Sequence, residues 1–139
     1  MEKDFAPYEE ALVLKELGFD EPCNTCYDKL EMVASYGASV FDYKNYNTTG
    51  YMVSRPTFSQ AFRWFREKYN LRGFIGFRPN VKQFDHHIYD MSLSGIEYTK
   101  QRTMAEYNKD PLVGTYEKAE LACLRKLIEI AKEKNYEQQ

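Results

Sequence analysis

Three groups of residues in this 139-residue chain carry side chains suited to chemistry. The first is a set of arginines: Arg55, Arg63, Arg66, Arg72 and Arg78. A guanidinium makes paired contacts to phosphate or carboxylate and stacks on flat rings, so the set points to a ligand that is anionic, aromatic or both. Each arginine alone also suits a solvated face with ordinary ion pairs. The second group is Asp85-His86-His87. On a strand, neighbours point to opposite faces, so His86 and His87 cannot serve one metal together. Asp85 and His87 share one face, as an acid/base pair or two metal ligands would, and Phe84, His86 and Ile88 share the other. One Asp and two His are too few to complete a site, and a pair of polar strand residues is the alternative. The third group is Cys23-Asn24-Thr25-Cys26, with the spacing of half a zinc site or of a redox pair. Zinc lacks its second pair here, because only Cys123, His86 and His87 remain, and the motif leads into a strand rather than a helix. Two ordinary thiols are therefore expected. The chain contains no glycine-rich phosphate loop and no Gly-x-Ser-x-Gly elbow. No catalytic residue, metal or cofactor is assigned, and a binding protein is favoured over an enzyme.

The elements that must position these residues are legible in part. Pro7, with Glu9 and Glu10 behind it and Gly18 beyond, frames a helix over Tyr8–Leu17. Cys26–Ala34 alternates as a strand would, although the same letters also allow a short helix. Residues 36–54 have no clean period and read as a long aromatic-rich loop or insertion, a length usually either functional or mobile. Arg55-Pro56-Thr57 opens a second helix. Thr57 and Gln60 have capping-box spacing, and Phe58, Ala61, Phe62, Phe65 and Tyr69 form its apolar stripe. Trp64 falls on one flank of that stripe, Arg66 and Ser59 fall on the other, and Arg63 points further out. Residues 73–78 and 83–91 read as two strands joined by the turn Pro79-Asn80-Val81-Lys82. Residues 96–110 are polar and without a clear period. Thr115 caps a third, strongly amphipathic helix from Tyr116 to about Lys134, followed by a frayed tail over 135–139. The expected fold is a single α+β domain: a small antiparallel sheet of about three strands packed with three helices.

Composition narrows the classes. With 19 basic against 21 acidic residues, the net charge of −2 gives no footprint for duplex nucleic acid. No run of about 18 apolar residues is present, so no membrane span is expected. The first residues lack the pattern of a signal peptide, and three cysteines, an odd number, fit a reducing cytoplasm. Aromatic content is high, with 12 Tyr, 9 Phe and 1 Trp, and tyrosine suits interfaces and ring-stacking pockets as well as cores.

The segments running from Tyr8 to Cys23 (YEEALVLKELGFDEPC), from Pro56 to Tyr69 (PTFSQAFRWFREKY) and from Thr115 to Leu124 (TYEKAELACL) together resemble a family of small, largely uncharacterised proteins of phages and mobile elements in gut bacteria. The aromatic stretch at 36–54 and the Asp85-His86-His87 run lie outside that resemblance. It implies a phage protein acting in the host bacterial cytoplasm. Such proteins often counter host defence, for example as a homo-oligomer that sequesters a nucleotide immune signal of the cyclic ADP-ribose or cyclic oligonucleotide type. For such a small nucleotide ligand, Tyr51, Arg55, Ser59, Arg63 and Arg78 are the expected phosphate and ring contacts, with Tyr43 or Tyr46 as a lid. The alternatives are an enzyme that cleaves such a signal with Asp85, His86 or His87, and a protein–protein inhibitor of a host defence protein that uses the tyrosine-rich loop.

Overall fold

Thr57 and Gln60 close the second helix as their spacing requires. The Thr57 hydroxyl accepts from the Gln60 amide at 3.1 Å, and the Gln60 side chain accepts from the Thr57 amide at 2.9 Å. This detail belongs to a computed structural model that describes residues 2–34, 43–48, 50–92 and 114–137. The expected polar segment 96–110 and residues 36–42 and 49 of the expected loop lie outside the described residues.

The fold is α+β, and the described residues hold three α-helices: α1 (Tyr8–Glu16), α2 (Phe58–Tyr69) and α3 (Tyr116–Glu137). Five strands among the described residues divide between two antiparallel sheets. The three short strands β1 (Cys26–Tyr27), β2 (Val33–Ala34) and β3 (Val53–Ser54) lie in the order β2-β1-β3. The other two, β4 (Leu71–Arg78) and β5 (Gln83–Asp90), form a hairpin of their own. The strand expected over 26–34 is therefore a small hairpin. Asp28 breaks it by accepting from the amides of Leu30 and Met32, and Glu31 takes a left-handed turn conformation at φ 63°.

The helix ends follow local chemistry. Pro7 occupies the N-cap position of α1, and Gly18 takes φ 97° just beyond its end, where a β-carbon is disfavoured. The Thr115 hydroxyl accepts from the Lys118 amide at the start of α3. At its far end α3 runs further than expected, to Glu137. Asn135 donates to the Tyr69 hydroxyl at 3.0 Å and ties that last turn to α2. Residues 138–139 are outside the description.

The core joins all of these parts. Leu14, Phe19, Phe65, Leu71, Leu124 and Leu127 are fully enclosed. Trp64 belongs with them, edge-on to Phe19, Phe65 and Tyr69 at 5.5, 5.2 and 5.6 Å between ring centres. The flank of the stripe that carries it is thus part of the core. α3 crosses one face of the hairpin. A β-carbon on Gly73 would sit 2.8 Å from Cys123 Sγ and 3.1 Å from Leu127 Cδ1, so the missing side chain sets how closely helix and strand approach. Lys134 pairs with buried Asp90 at 2.6 Å, and Arg125 pairs with buried Glu10 at 2.7 Å. The first pair pins α3 to β5 and the second pins it to α1.

Candidate functional site on the β4–β5 hairpin

Alternation along β4 and β5 sorts their side chains. Leu71, Gly73, Ile75 and Phe77 share one face with Phe84, His86, Ile88 and Asp90, and α3 packs there against Gly73. His86 is consequently enclosed, at 4% exposure. Arg72, Phe74, Gly76 and Arg78 occupy the opposite face with Gln83, Asp85, His87 and Tyr89.

The register across the hairpin puts Phe74 opposite His87 and Gly76 opposite Asp85. Three consequences follow. The Phe74 and His87 rings stack, 5.0 Å apart and 20° from parallel, and Tyr89 leans on Phe74 at 5.3 Å. Asp85 lies across Gly76, because a β-carbon there would collide with Asp85 Oδ1 and stand 3.1 Å from His87 Nε2. Asp85 in turn organises two neighbours: Oδ2 accepts from Arg78 Nε at 2.9 Å, and Oδ1 lies 3.1 Å from His87 Nε2. In the Nε2-protonated tautomer the imidazole donates in that contact.

The result is a ledge of rings between two cations. Phe74 is 37% exposed, and Arg72 and Arg78 are both exposed. At the rise of a strand, Arg72 stands about 7 Å from Phe74 along β4, and Arg78 about 13 Å beyond Phe74. A cleft of about 310 Å³ lies at the hairpin tip, lined by Phe77, Arg78, Pro79, Asn80 and Val81. This arrangement can hold a flat ring by stacking and an anionic group by either guanidinium. No protein-family model matches this chain, and comparison with curated proteins and with solved structures finds no similar protein.

Of the residues expected to bind ligand, Arg78 is the one that lies on this face. Arg63 is exposed on α2 and holds Glu21 at 2.8 Å. Tyr43 is exposed. Ser59 is exposed on the first turn of α2. Tyr51 is exposed and lines a separate cleft of about 320 Å³ with Asp28, Lys29 and Leu30. Arg55 is 7% exposed, over the Phe5 ring. No hydrogen bond, ion pair or ring contact among the described residues joins Arg78 to Arg55, Arg63 or Tyr51. Tyr46, expected as a lid, is core: it is wholly enclosed, and its amide donates to Ser54 Oγ at 2.9 Å. The stretch expected as a loop is built in here, because Asn47 also accepts from the Ser54 amide and donates to the Phe19 carbonyl.

The cysteines take no part in the site. All three are buried, and none is joined to another in a disulfide. Burial, reinforced by the charge of Glu21, pushes the Cys23 thiol up to about 12, and burial with Asp28 raises Cys26. Among the described residues no group of three His, Cys, Asp or Glu is placed to hold a metal ion.

Proposed function

We propose that this chain is a binding protein for a nucleotide, held on the Arg72–Phe74–Arg78 face of the β4–β5 hairpin. One observation carries the proposal: the stacked Phe74–His87 pair, partly exposed and flanked by two arginines. A base laid on such a ledge gains about 1–3 kcal/mol from stacking. The phosphates then fall toward Arg72 or Arg78. Asp85 serves as the positioning residue, holding His87 flat and Arg78 turned back along the strand. The resemblance to phage proteins supplies a setting, in which a homo-oligomer sequesters a nucleotide immune signal in the host cytoplasm. Among the described residues no helix is long and apolar enough to cross a membrane, which fits that setting.

Calorimetry with 5′-AMP, ADP-ribose and cyclic dinucleotides tests the proposal. Micromolar binding by at least one of them, weakened tenfold or more in Phe74→Ala, supports it. Silence across the panel removes it. A second reading has an observation of its own: the 3.1 Å Asp85–His87 pair has the form of a general base with its orienting carboxylate. Heat denaturation after incubation separates the two. A binding protein returns the nucleotide intact, and an enzyme returns products.

A further inference from the structure

We infer that Arg55 and Thr25 form a second, buried site for a single oxyanion of the phosphate or carboxylate class, separate from the hairpin face. Arg55 follows β3 and Thr25 precedes β1. Because Cys26 pairs with Ser54, these two residues stand directly opposite each other, and the Arg55 amide donates to the Thr25 carbonyl at 3.1 Å. Directly opposed residues project their side chains to the same face of a sheet. The Arg55 side chain is more than nine-tenths buried, with its guanidinium carbon 4.0 Å from the centre of the Phe5 ring and 5.7 Å from that of Tyr27.

Rings stack on a guanidinium but do not accept its in-plane N–H groups. Arg55 Nε is enclosed and has no acceptor, and Thr25 Oγ1 is likewise enclosed without a partner. No carboxylate among the described residues pairs with Arg55, whereas Arg63, Arg78 and Arg125 each hold one. A buried cation without a counter-charge is costly, and two unpartnered polar groups on opposed residues share the same remedy. An oxyanion supplies both. It accepts from the guanidinium and, through a second oxygen, from the threonine hydroxyl. Phe5 is fixed beneath the site by its bridge to Thr57, so the stacking surface is built before any ligand arrives.

The test is thermal denaturation of the full chain in inorganic phosphate, in acetate and in chloride at matched ionic strength. The site predicts that phosphate or acetate raises the melting temperature over chloride, with a saturable dependence. The oxyanion that acts at the lower concentration identifies the source, phosphoryl or carboxyl. Arg55→Met keeps an unbranched side chain between the rings and abolishes the response. Thr25→Val keeps shape, removes one hydrogen bond to a charged ligand and weakens apparent affinity about tenfold. Phe74→Ala, on the separate β4–β5 hairpin, leaves the response unchanged, so failure here and failure of the hairpin site are distinguishable. Equal stabilisation of wild type and Thr25→Val overturns the inference, and so does equal melting of the wild type in all three salts.

Discussion

Gly76→Ala isolates the organising role of Asp85. Gly76 is not in the left-handed region, so its glycine is explained by space rather than by backbone conformation. A methyl group there would occupy the position of Asp85 Oδ1 and press on His87 Nε2 at 3.1 Å and on Cδ2 at 3.3 Å. The carboxylate must swing away, losing its contacts to His87 and Arg78. The Asp85–His87 contact is the better shielded of the two and is worth about 1.5–3 kcal/mol as a hydrogen bond to a charged group. Arg78 is 44% exposed, so its pair adds less than about 1 kcal/mol after solvent screening. Replacing a strand glycine by alanine returns about 0.5–1 kcal/mol. The net expectation is a loss of about 1–2 kcal/mol in urea denaturation, with nucleotide binding weakened tenfold or more as the imidazole leaves its stacked position. Gly73→Ala is the matched control. Its methyl group meets Cys123 and Leu127 on the helix-covered face, costing about 1–3 kcal/mol by overpacking while leaving binding unchanged. The reasoning is refuted if Gly76→Ala keeps full affinity and stability, or if the two variants lose affinity in proportion to stability.

Three further outcomes follow from the same structure. Tyr46→Ala should destabilise by about 3–5 kcal/mol in denaturant titration, as for a large aromatic removed from a core, whereas a lid residue would leave stability unchanged. In native protein, Cys23 and Cys26 should resist a thiol reagent at neutral pH and react once unfolded, because burial holds both thiols above the usual range. Burial and the charges of Asp4 and Glu117 push the Glu120 carboxyl up to about 7. A carboxyl raised on folding favours the native state in full below its unfolded value and loses that contribution as pH rises through about 7. Melting curves of Glu120→Gln should therefore show a gain on the order of 1 kcal/mol at pH 8, after screening of a half-buried group, and almost none at pH 4.

Local chemistry made much of this fold readable. Thr57 with Gln60 and Thr115 with Lys118 act within one helical turn, so the starts of α2 and α3 follow from adjacent letters. Alternation alone separates Asp85 and His87 from His86, and the hairpin keeps that division. The ring ledge was harder to read because it depends on register. The turn at 79–82 fixes Arg78 against Gln83, and counting back from it pairs Phe74 with His87 and Gly76 with Asp85. The ledge therefore follows from the position of one turn, not from any residue type near Phe74 or His87. Tyr46 had no local signal. Its burial rests on Ser54 and on the Lys44–Cys23 bridge, contacts that only the tertiary fold creates. Likewise, nothing near Arg55 in sequence marks Phe5 and Tyr27 as the rings that enclose it.

The central claim, that the hairpin face binds a nucleotide, is tested most directly by recording the backbone amide spectrum of the protein while titrating ADP-ribose and cyclic dinucleotides. Binding at the proposed site predicts saturable shifts concentrated at Phe74, His87 and Tyr89, absent in Phe74→Ala. Shifts confined to the Tyr51 cleft or to the Arg63 side of α2, with the hairpin unmoved, would contradict it.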